Sequence, residues 1–484
     1  MKMYIYGGGH RCEILLSLAE RTSIEIAGII DSDERKWGTK IGNVEIYSPK
    51  KLYEQKDFFI CVSFYGELDY EPIWDELVEK YGIDKQKILS FHDVLQKMFE
   101  NIEISQVDDE IKNKSWNHIF AFAWKFNLGG VETWAKDTVD VLTCDDKNMV
   151  VLSDKAQFAQ DTKCKIIDYF LEKPCEFKKN HIIEAINIIM NQLPCTIVCS
   201  RDDEVTIAAT LIKRKFPDLI RVIMVVHGAC DGMIRDMYSY DKYVDYYACV
   251  STATKEHLMK LGTEDDKCII IPPVITNYLH CSKTYTIDKE EPLRLGYVGR
   301  LEVFHKRADL LIELIKDLEK LELNYNFEIA GKGTYVSTLL DFIRDNNLGS
   351  KVFYRGLIEH DDIMDFWHDK DISFNVSDSE GRPISNLEAM ICGVIPVVTA
   401  TEGILEDVED GVTGYLIKIG DHMTMAKKIA EIDRNRHILN ELGSNAQKII
   451  KEKVSSKQYV GAWLKILDET DEQKKQSCNN NSNI

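Results

Sequence analysis

Apolar and polar positions along this 484-residue chain alternate between short buried-strand runs and stretches of helical period. Met3-Tyr-Ile-Tyr6, Ile24–Asp31, Phe58–Val62 and Lys87–Phe91 read as the strands of a first unit. The polar, charged stretch Asn101–Lys114 reads as a linker. A second alternation begins at His118-Ile-Phe-Ala-Phe-Ala-Trp124 and continues through Asn148–Leu152, Thr196–Cys199, Val222–Val226 and Tyr246–Val250. A third runs through Leu293–Val298, Phe327–Ala330, Val352–Tyr354, Ile372–Val376 and Ile395–Val398. Apolar strands alternating with helix-period segments predict parallel sheets covered on both faces. The expected division is a first unit at 1–98, a linker at 99–115, a second unit at 116–283 and a third at 284–450. A C-terminal helix at 451–470 follows, containing Tyr459-Val-Gly-Ala-Trp463. The Asn-rich tail at 471–484 has the composition of a disordered segment.

Composition changes this picture only by exclusion. A net charge of −20 argues against nucleic acid as a general partner. No apolar run approaches the roughly 20 residues of a membrane span. The chain opens directly on a strand, so no signal peptide is expected. The thirteen cysteines are scattered with no CxxC pair. That pattern fits reduced core residues of a cytoplasmic protein, and not disulfides or zinc ligands.

The chemistry concentrates at strand ends of the third unit, where open α/β sheets bind ligands. Those ends read Gly299-Arg300, Gly331-Lys-Gly333, Gly356 and Asp378-Ser-Glu380. Glu380 and Glu388 stand eight positions apart, the first in a loop and the second a turn into a helix that follows Pro383. A helix N-terminus faces anions, and carboxylates accept from hydroxyls. Arg300 and Lys306 are suited to neutralise a diphosphate.

Five motifs in order carry a resemblance. They are Gly296-Tyr-Val-Gly-Arg-Leu301 with Lys306, Ile329-Ala-Gly-Lys-Gly333, Glu380-Gly-Arg-Pro-Ile-Ser-Asn-Leu-Glu388-Ala-Met, Gly393-Val-Ile-Pro-Val-Val398 and Glu406-Asp-Val-Glu-Asp-Gly-Val-Thr-Gly-Tyr415. Together they resemble the C-terminal domain of family 4 retaining glycosyltransferases of the GT-B fold. The second unit resembles the acceptor-side domain of those enzymes, through Asn127-Leu-Gly-Gly-Val-Glu132, Val225-Val-His227-Gly, Val250-Ser-Thr-Ala-Thr254 and Ile271-Pro-Pro-Val-Ile275. The resemblance implies an α/β GT-B architecture: two facing Rossmann-like domains with parallel sheets, plus a small N-terminal Rossmann-like domain, with the C-terminal helix at 451–470 packing back on the acceptor-side domain near Tyr459-Val-Gly-Ala-Trp463.

It also implies roles. Arg300 and Lys306 grip the donor diphosphate, with Gly299 and Gly331 allowing close backbone approach. Glu388 accepts from the ribose hydroxyls. Glu380, with amides near Gly381, Arg382 and Pro383, contacts the donor sugar. His227 reaches that sugar from the opposite domain, and Gly129 and Gly130 approach the phosphate or acceptor. The implied reaction is retaining transfer from a nucleotide-sugar, most simply a UDP-sugar, to a glycan, lipid-linked or polysaccharide acceptor of bacterial cell-surface synthesis. It proceeds without metal or other cofactor, by front-face attack with the leaving phosphate taking the acceptor proton. Peripheral contact with the cytoplasmic membrane face is implied too, and the cluster Lys213-Arg-Lys215 with Arg221 is either a headgroup contact or a solvated helix end.

Two positions depart from the family pattern. Arg382 stands where a bulky apolar residue is usual, and either reads a charged substrate or points to water. Arg307 stands where glycine is usual, implying a stiffer loop after Lys306. Two other readings of the whole chain remain: a nucleotide-sugar epimerase of the same fold, and a sensing or scaffolding subunit with an inactive cleft.

In the first unit, Gly7-Gly-Gly-His10 and Asp31 make half of a dinucleotide fingerprint. Tyr6-Gly-Gly-Gly-His10, Ala27-Gly-Ile-Ile-Asp-Ser-Asp33 and Gly38-Thr-Lys-Ile-Gly-Asn-Val-Glu-Ile46 resemble the nucleotide-sugar-binding domain of bacterial sugar acyltransferases. By that resemblance Gly8, His10 and Asp31 bind a UDP-sugar; the alternative is a domain that packs without ligand. Asp31-Ser-Asp33 has DxD spacing, but its place in the first unit argues against a manganese site.

Overall fold

The expected alternation becomes three sheets in the computed structural model, which describes residues 1–19, 22, 24–55, 57–63, 71–124, 129–142, 148–157, 164–173, 175–276 and 283–467. The first contains β1 (Lys2–Tyr6), β2 (Glu25–Ile30), β3 (Lys40–Ile41), β4 (Val44–Tyr47), β5 (Phe59–Val62) and β6 (Ile88–Ser90), in the order β3-β4-β2-β1-β5-β6. The second contains β7 (Asn117–Phe122), β8 (Met149–Ser153), β9 (Lys165–Asp168), β10 (Cys195–Cys199), β11 (Ile220–Val226), β12 (Tyr246–Cys249) and β13 (Cys268–Ile270). Its order is β13-β12-β11-β10-β7-β8-β9. The third contains β14 (Leu293–Val298), β15 (Tyr325–Ala330), β16 (Val352–Gly356), β17 (Ile372–Asn375), β18 (Ile395–Thr399) and β19 (Tyr415–Ile417), in the order β16-β15-β14-β17-β18-β19.

Every pairing but β3 with β4 is parallel, as expected for sheets covered on both faces by helices. The central strands are apolar on both faces, and β8 and β10 are buried along their whole length. Strands β3, β4, β9, β13 and β19 extend the sheets beyond the expected set. They are two to four residues long, partly exposed, and lie at or next to an edge.

The first unit is fastened to the second by buried polar groups. Arg11 forks onto Asp236 at 3.0 and 2.7 Å. His92 Nε2 lies 2.8 Å from Asp202 Oδ2, and its Nδ1 lies 2.6 Å from the Tyr240 hydroxyl. His92 and Asp236 are buried, so this is a desolvated network whose members must stay paired. The basic cluster is engaged within the chain too. Lys213 bonds Asp245 at 2.8 Å, Lys215 reaches the Ile104 carbonyl and Arg214 lies 3.8 Å from Glu100. Lys215 and Arg214 therefore meet the connecting stretch, while Lys213 stays within the second unit.

Helix 456–467 lies on the second unit. The Tyr459 hydroxyl is 2.6 Å from Thr138 Oγ1, and the Trp463 ring centre is 5.3 Å from that of Phe120. The Asn-rich tail lies outside the described residues, as do Asn127 and Leu128 of the glycine loop. Among the described residues no helix is long and apolar enough to cross a membrane.

Candidate active site

Each sheet reverses its winding once, between β1 and β5, between β7 and β10, and between β14 and β17. The crevice outside the carboxyl ends of the two strands at such a reversal is where open α/β sheets hold ligands. In the third unit the reversal brings together Gly299-Arg300, which follows β14, and Ser377–Glu380, which follows β17. The Glu380 carboxylate is buried, and its Oε1 accepts three bonds: from Lys306 Nζ at 2.6 Å, Ser377 Oγ at 2.7 Å and Asn375 Nδ2 at 3.1 Å. Burial by itself would raise this carboxyl, but the Lys306 charge and those hydrogen bonds outweigh it and hold it below the usual range. Arg300 is exposed and meets no partner among the described residues.

Arg307 is in the left-handed region at φ 48°, the conformation the usual glycine adopts freely. Its strain, roughly 1–2 kcal/mol, is offset by ion pairs to Asp309 at 2.9 Å and Asp378 at 3.2 Å. The Asp378 amide also donates to the His305 carbonyl at 2.8 Å. These bonds pin the Lys306 loop to the Glu380 loop. Gly331 has φ 139°, and a Cβ there would collide with the Gly299 carbonyl oxygen.

Arg382 does neither thing expected of it. It is buried and forks onto Asp407 at 2.9 and 2.6 Å. A guanidinium this deep needs a carboxylate partner, and Asp407 supplies it. Pro383 caps helix Ile384–Ile391, which carries Glu388. Burial, with the Asp137 charge, pushes the Glu388 carboxyl up to about 7. Asp137 comes from the second unit, in helix Gly130–Leu142, and is itself buried. It accepts from Thr276 and lies 3.4 Å from His360 Nε2, and the bond to Asp137 raises the His360 imidazole above its usual value.

The second and third units meet across these ends. A Cβ on Gly381 would strike the His227 carbonyl oxygen, and one on Gly130 would lie 4.0 Å from Ile384. The His227 ring stands edge-on to Trp134 with centres 4.6 Å apart. Burial and then the Arg201 charge lower its pKa to about 3, so it is neutral. Gly129 lies just before that helix. The structure thus brings Arg300, Lys306, Glu380, Gly381 and His227 to one cleft.

The first-unit residues are differently placed. Gly8 N–H donates to Asp31 Oδ2 at 3.1 Å, and Lys36 Nζ lies 2.9 Å from the same oxygen. His10 is exposed beside Glu13. Asp33 is paired with Arg35 at 2.9 Å, so both carboxylates of the DxD string already have cationic partners.

The sequence reading missed Arg201, Asp137, His360 and Asp407. Arg201 carried a signal, since it follows β10 as Glu380 follows β17. Asp137 and His360 lie far apart in sequence and meet only when the units face each other.

Comparison with known proteins agrees with this geometry. Residues 284–449 match the family model for glycosyl transferases group 1, and residues 1–89 match the C2185-like N-terminal model. Poly(ribitol-phosphate) alpha-N-acetylglucosaminyltransferase of Staphylococcus aureus is 32% identical over 178 residues, 36% of this chain and 35% of that protein. The match thus spans about a third of that relative's length. Anabaena HepE in complex with UDP-glucose superposes with TM-score 0.62 at 16% identity, over 73% of this chain and all of that one. A Staphylococcus aureus TarM variant in complex with fondaparinux, alpha-GlcNAc-glycerol and UDP superposes with TM-score 0.51 at 15% identity, over 96% and 99% of the two chains. At such identities the superpositions show the fold, which is GT-B, and the match to the group 1 glycosyl transferase model falls within the third unit.

Proposed function

We propose that the protein is a retaining, metal-independent glycosyltransferase. It moves a sugar from a nucleotide-sugar, taken to be a UDP-sugar, to a glycan or lipid-linked acceptor in cell-surface polysaccharide synthesis. The observation that carries this reading is the Lys306–Glu380 pair beside the unpartnered Arg300, at the winding reversal of the third sheet and facing His227. UDP and UDP-glucose in the HepE and TarM structures support the donor class.

Breaking a glycosyl–phosphate bond builds negative charge on the leaving diphosphate. Arg300, Lys306 and the amides that open helix Ile384–Ile391 are the groups we assign to that charge. Three donors converge on Glu380 Oε1, and its Oε2 is the atom we assign to a donor-sugar hydroxyl. Glu388 takes the ribose, and the neutral His227 imidazole takes the sugar from the other side. Closure of the two units keeps out water, whose attack competes with transfer. For the first unit we favour packing over ligand binding. Asp31 is bound by Lys36 and the Gly8 amide, and Arg11, next to His10, is buried on Asp236.

The test is thermal denaturation with UDP, GDP, ADP and their sugars, followed by anomeric analysis of any product. A ligand at about 100 times its Kd stabilises the fold by roughly 2.7 kcal/mol. One nucleotide family should shift the melt, and Glu388→Ala should abolish the shift. Epimerised donor without transfer would replace this reading with the epimerase, and binding without turnover would replace it with the sensor.

A further inference from the structure

The second sheet has its own reversal, between β7 and β10. Three side chains from adjacent strand ends converge there: Trp124 just past β7, Arg201 just past β10 and His227 just past β11. The Arg201 guanidinium lies over the Trp124 ring, 4.4 Å from its centre. One nitrogen reaches Glu132 Oε1 at 3.4 Å, long for a charge-assisted bond. Its other donors meet no partner among the described residues, and the side chain keeps 35% of its surface exposed. His227 Nε2 is buried without a partner among the described residues. Because Gly381 abuts the His227 carbonyl, this crevice opens onto the Glu380 loop.

The position of Arg201 is fixed from behind. Its carbonyl accepts from Thr206 Oγ1 at 2.6 Å, and Asp202 is held by His92 of the first unit. Asp203 caps the following helix by accepting from the Val205 and Thr206 amides. A guanidinium held over an indole face loses little freedom when it binds, and its free edge matches two oxygens of a phosphate or carboxylate. A solvated surface arginine would explain the exposure. It would not explain the stacking, the braced backbone and the orphaned imidazole nitrogen together.

We propose that Arg201 reads the acceptor, and that the acceptor carries an anionic group, phosphate or carboxylate, close to the hydroxyl that receives the sugar. This rests on the transferase reading of the cleft. Glu132 and His227 flank the same crevice and supply polar contacts for neighbouring hydroxyls.

The experiment is titration calorimetry on the full chain saturated with UDP, using sn-glycerol 1-phosphate, L-malate and glycerol as probes. At least one anion should bind, glycerol should not, and rising salt should weaken the binding. Phosphate-only binding assigns a phosphate group; malate-only binding assigns a carboxylate. Arg201→Gln should weaken anion binding at least tenfold, Arg201→Lys less, and both should keep UDP affinity within twofold and the wild-type melting temperature. The inference alone is overturned if UDP binds normally and neither anion binds, if glycerol binds as well as its phosphate, or if Arg201→Gln holds the anion as tightly as wild type. Loss of UDP binding by a folded Arg201→Gln also overturns it, by placing Arg201 on the donor side. Failure of the wild type to bind UDP, GDP or ADP removes the transferase reading, and this inference with it; binding of GDP or ADP alone changes only the nucleotide used for saturation.

Discussion

Arg382 is the sharpest test of how the third unit is built. Its guanidinium makes two bonds to Asp407, and the side chains are 3% and 1% exposed. Replacing Arg382 with Met keeps most of the volume and strands a buried carboxylate. Breaking a buried pair from one side costs roughly 3–5 kcal/mol. Lys453 Nζ, 3.8 Å from Asp407 and partly exposed, remains as a weak substitute and puts the expected loss near the lower figure. For a domain of this size each kcal/mol moves the midpoint by roughly 2–4 °C. The single variant should therefore melt about 6–12 °C below wild type by calorimetry. Arg382→Met with Asp407→Leu removes both charges and should recover most of the loss, since apolar replacement of a whole buried pair is often neutral. The double variant should keep the wild-type donor KM. A single variant that melts with wild type but loses turnover would refute the argument, because Arg382 would then leave Asp407 to meet a substrate.

Other predictions follow from the cleft. Lys306→Ala should lower kcat at saturating donor at least about tenfold, some 1.4 kcal/mol of lost charge stabilisation; an unchanged kcat would remove Lys306 from the leaving group. Gly381→Ala puts a methyl into the His227 carbonyl and should hold the units apart, with a loss of kcat/KM near a hundredfold and little change in the melt. Glu388 has its folded pKa raised to about 7, so the folded state binds more protons than the unfolded one between about pH 4.5 and 7. Its penalty is absent below that window and grows as pH rises through it. Glu388→Gln should therefore melt higher than wild type at pH 8 and with it at pH 5, whereas the opposite order would contradict the burial argument. Turnover should survive EDTA, and strict dependence on added manganese would return attention to carboxylate clusters such as His92, Asp202 and Asp236.

Much of the third unit was legible because its chemistry is local. Glycines, a short acidic turn and a helix start occupy contiguous stretches, so strand ends could be read directly from the apolar runs before them. Arg382 was misjudged because its partner lies 25 positions away, in a loop with no periodic pattern. A charge in a motif looks available until the residue that neutralises it is known. Asp137 and His360 were invisible for a related reason: they come from different units, and only closure brings them together. The edge strands were missed because they are short and partly exposed, so their few residues do not stand out from the loops beside them.

Each of the three sheets reverses its winding once, yet the reversal points are in different states. At β14 and β17 a cation without a partner stands beside a paired one, and at β7 and β10 a partly free guanidinium stands beside an orphaned imidazole nitrogen. These two crevices face each other across Gly381 and His227. At the first sheet the corresponding groups satisfy one another: Asp31 holds the Gly8 amide and Lys36, while Arg11, just beyond the glycines, holds Asp236 of the second unit. A polar group already bonded inside the protein has little to offer a ligand, because binding would exchange one hydrogen bond for another and leave the first partner unsatisfied. That asymmetry separates a crevice able to do chemistry from one whose polar groups serve packing. On the proposed reading the first unit has a mechanical role, in which His92 braces Asp202 and, one residue along, the arginine at the floor of the second crevice.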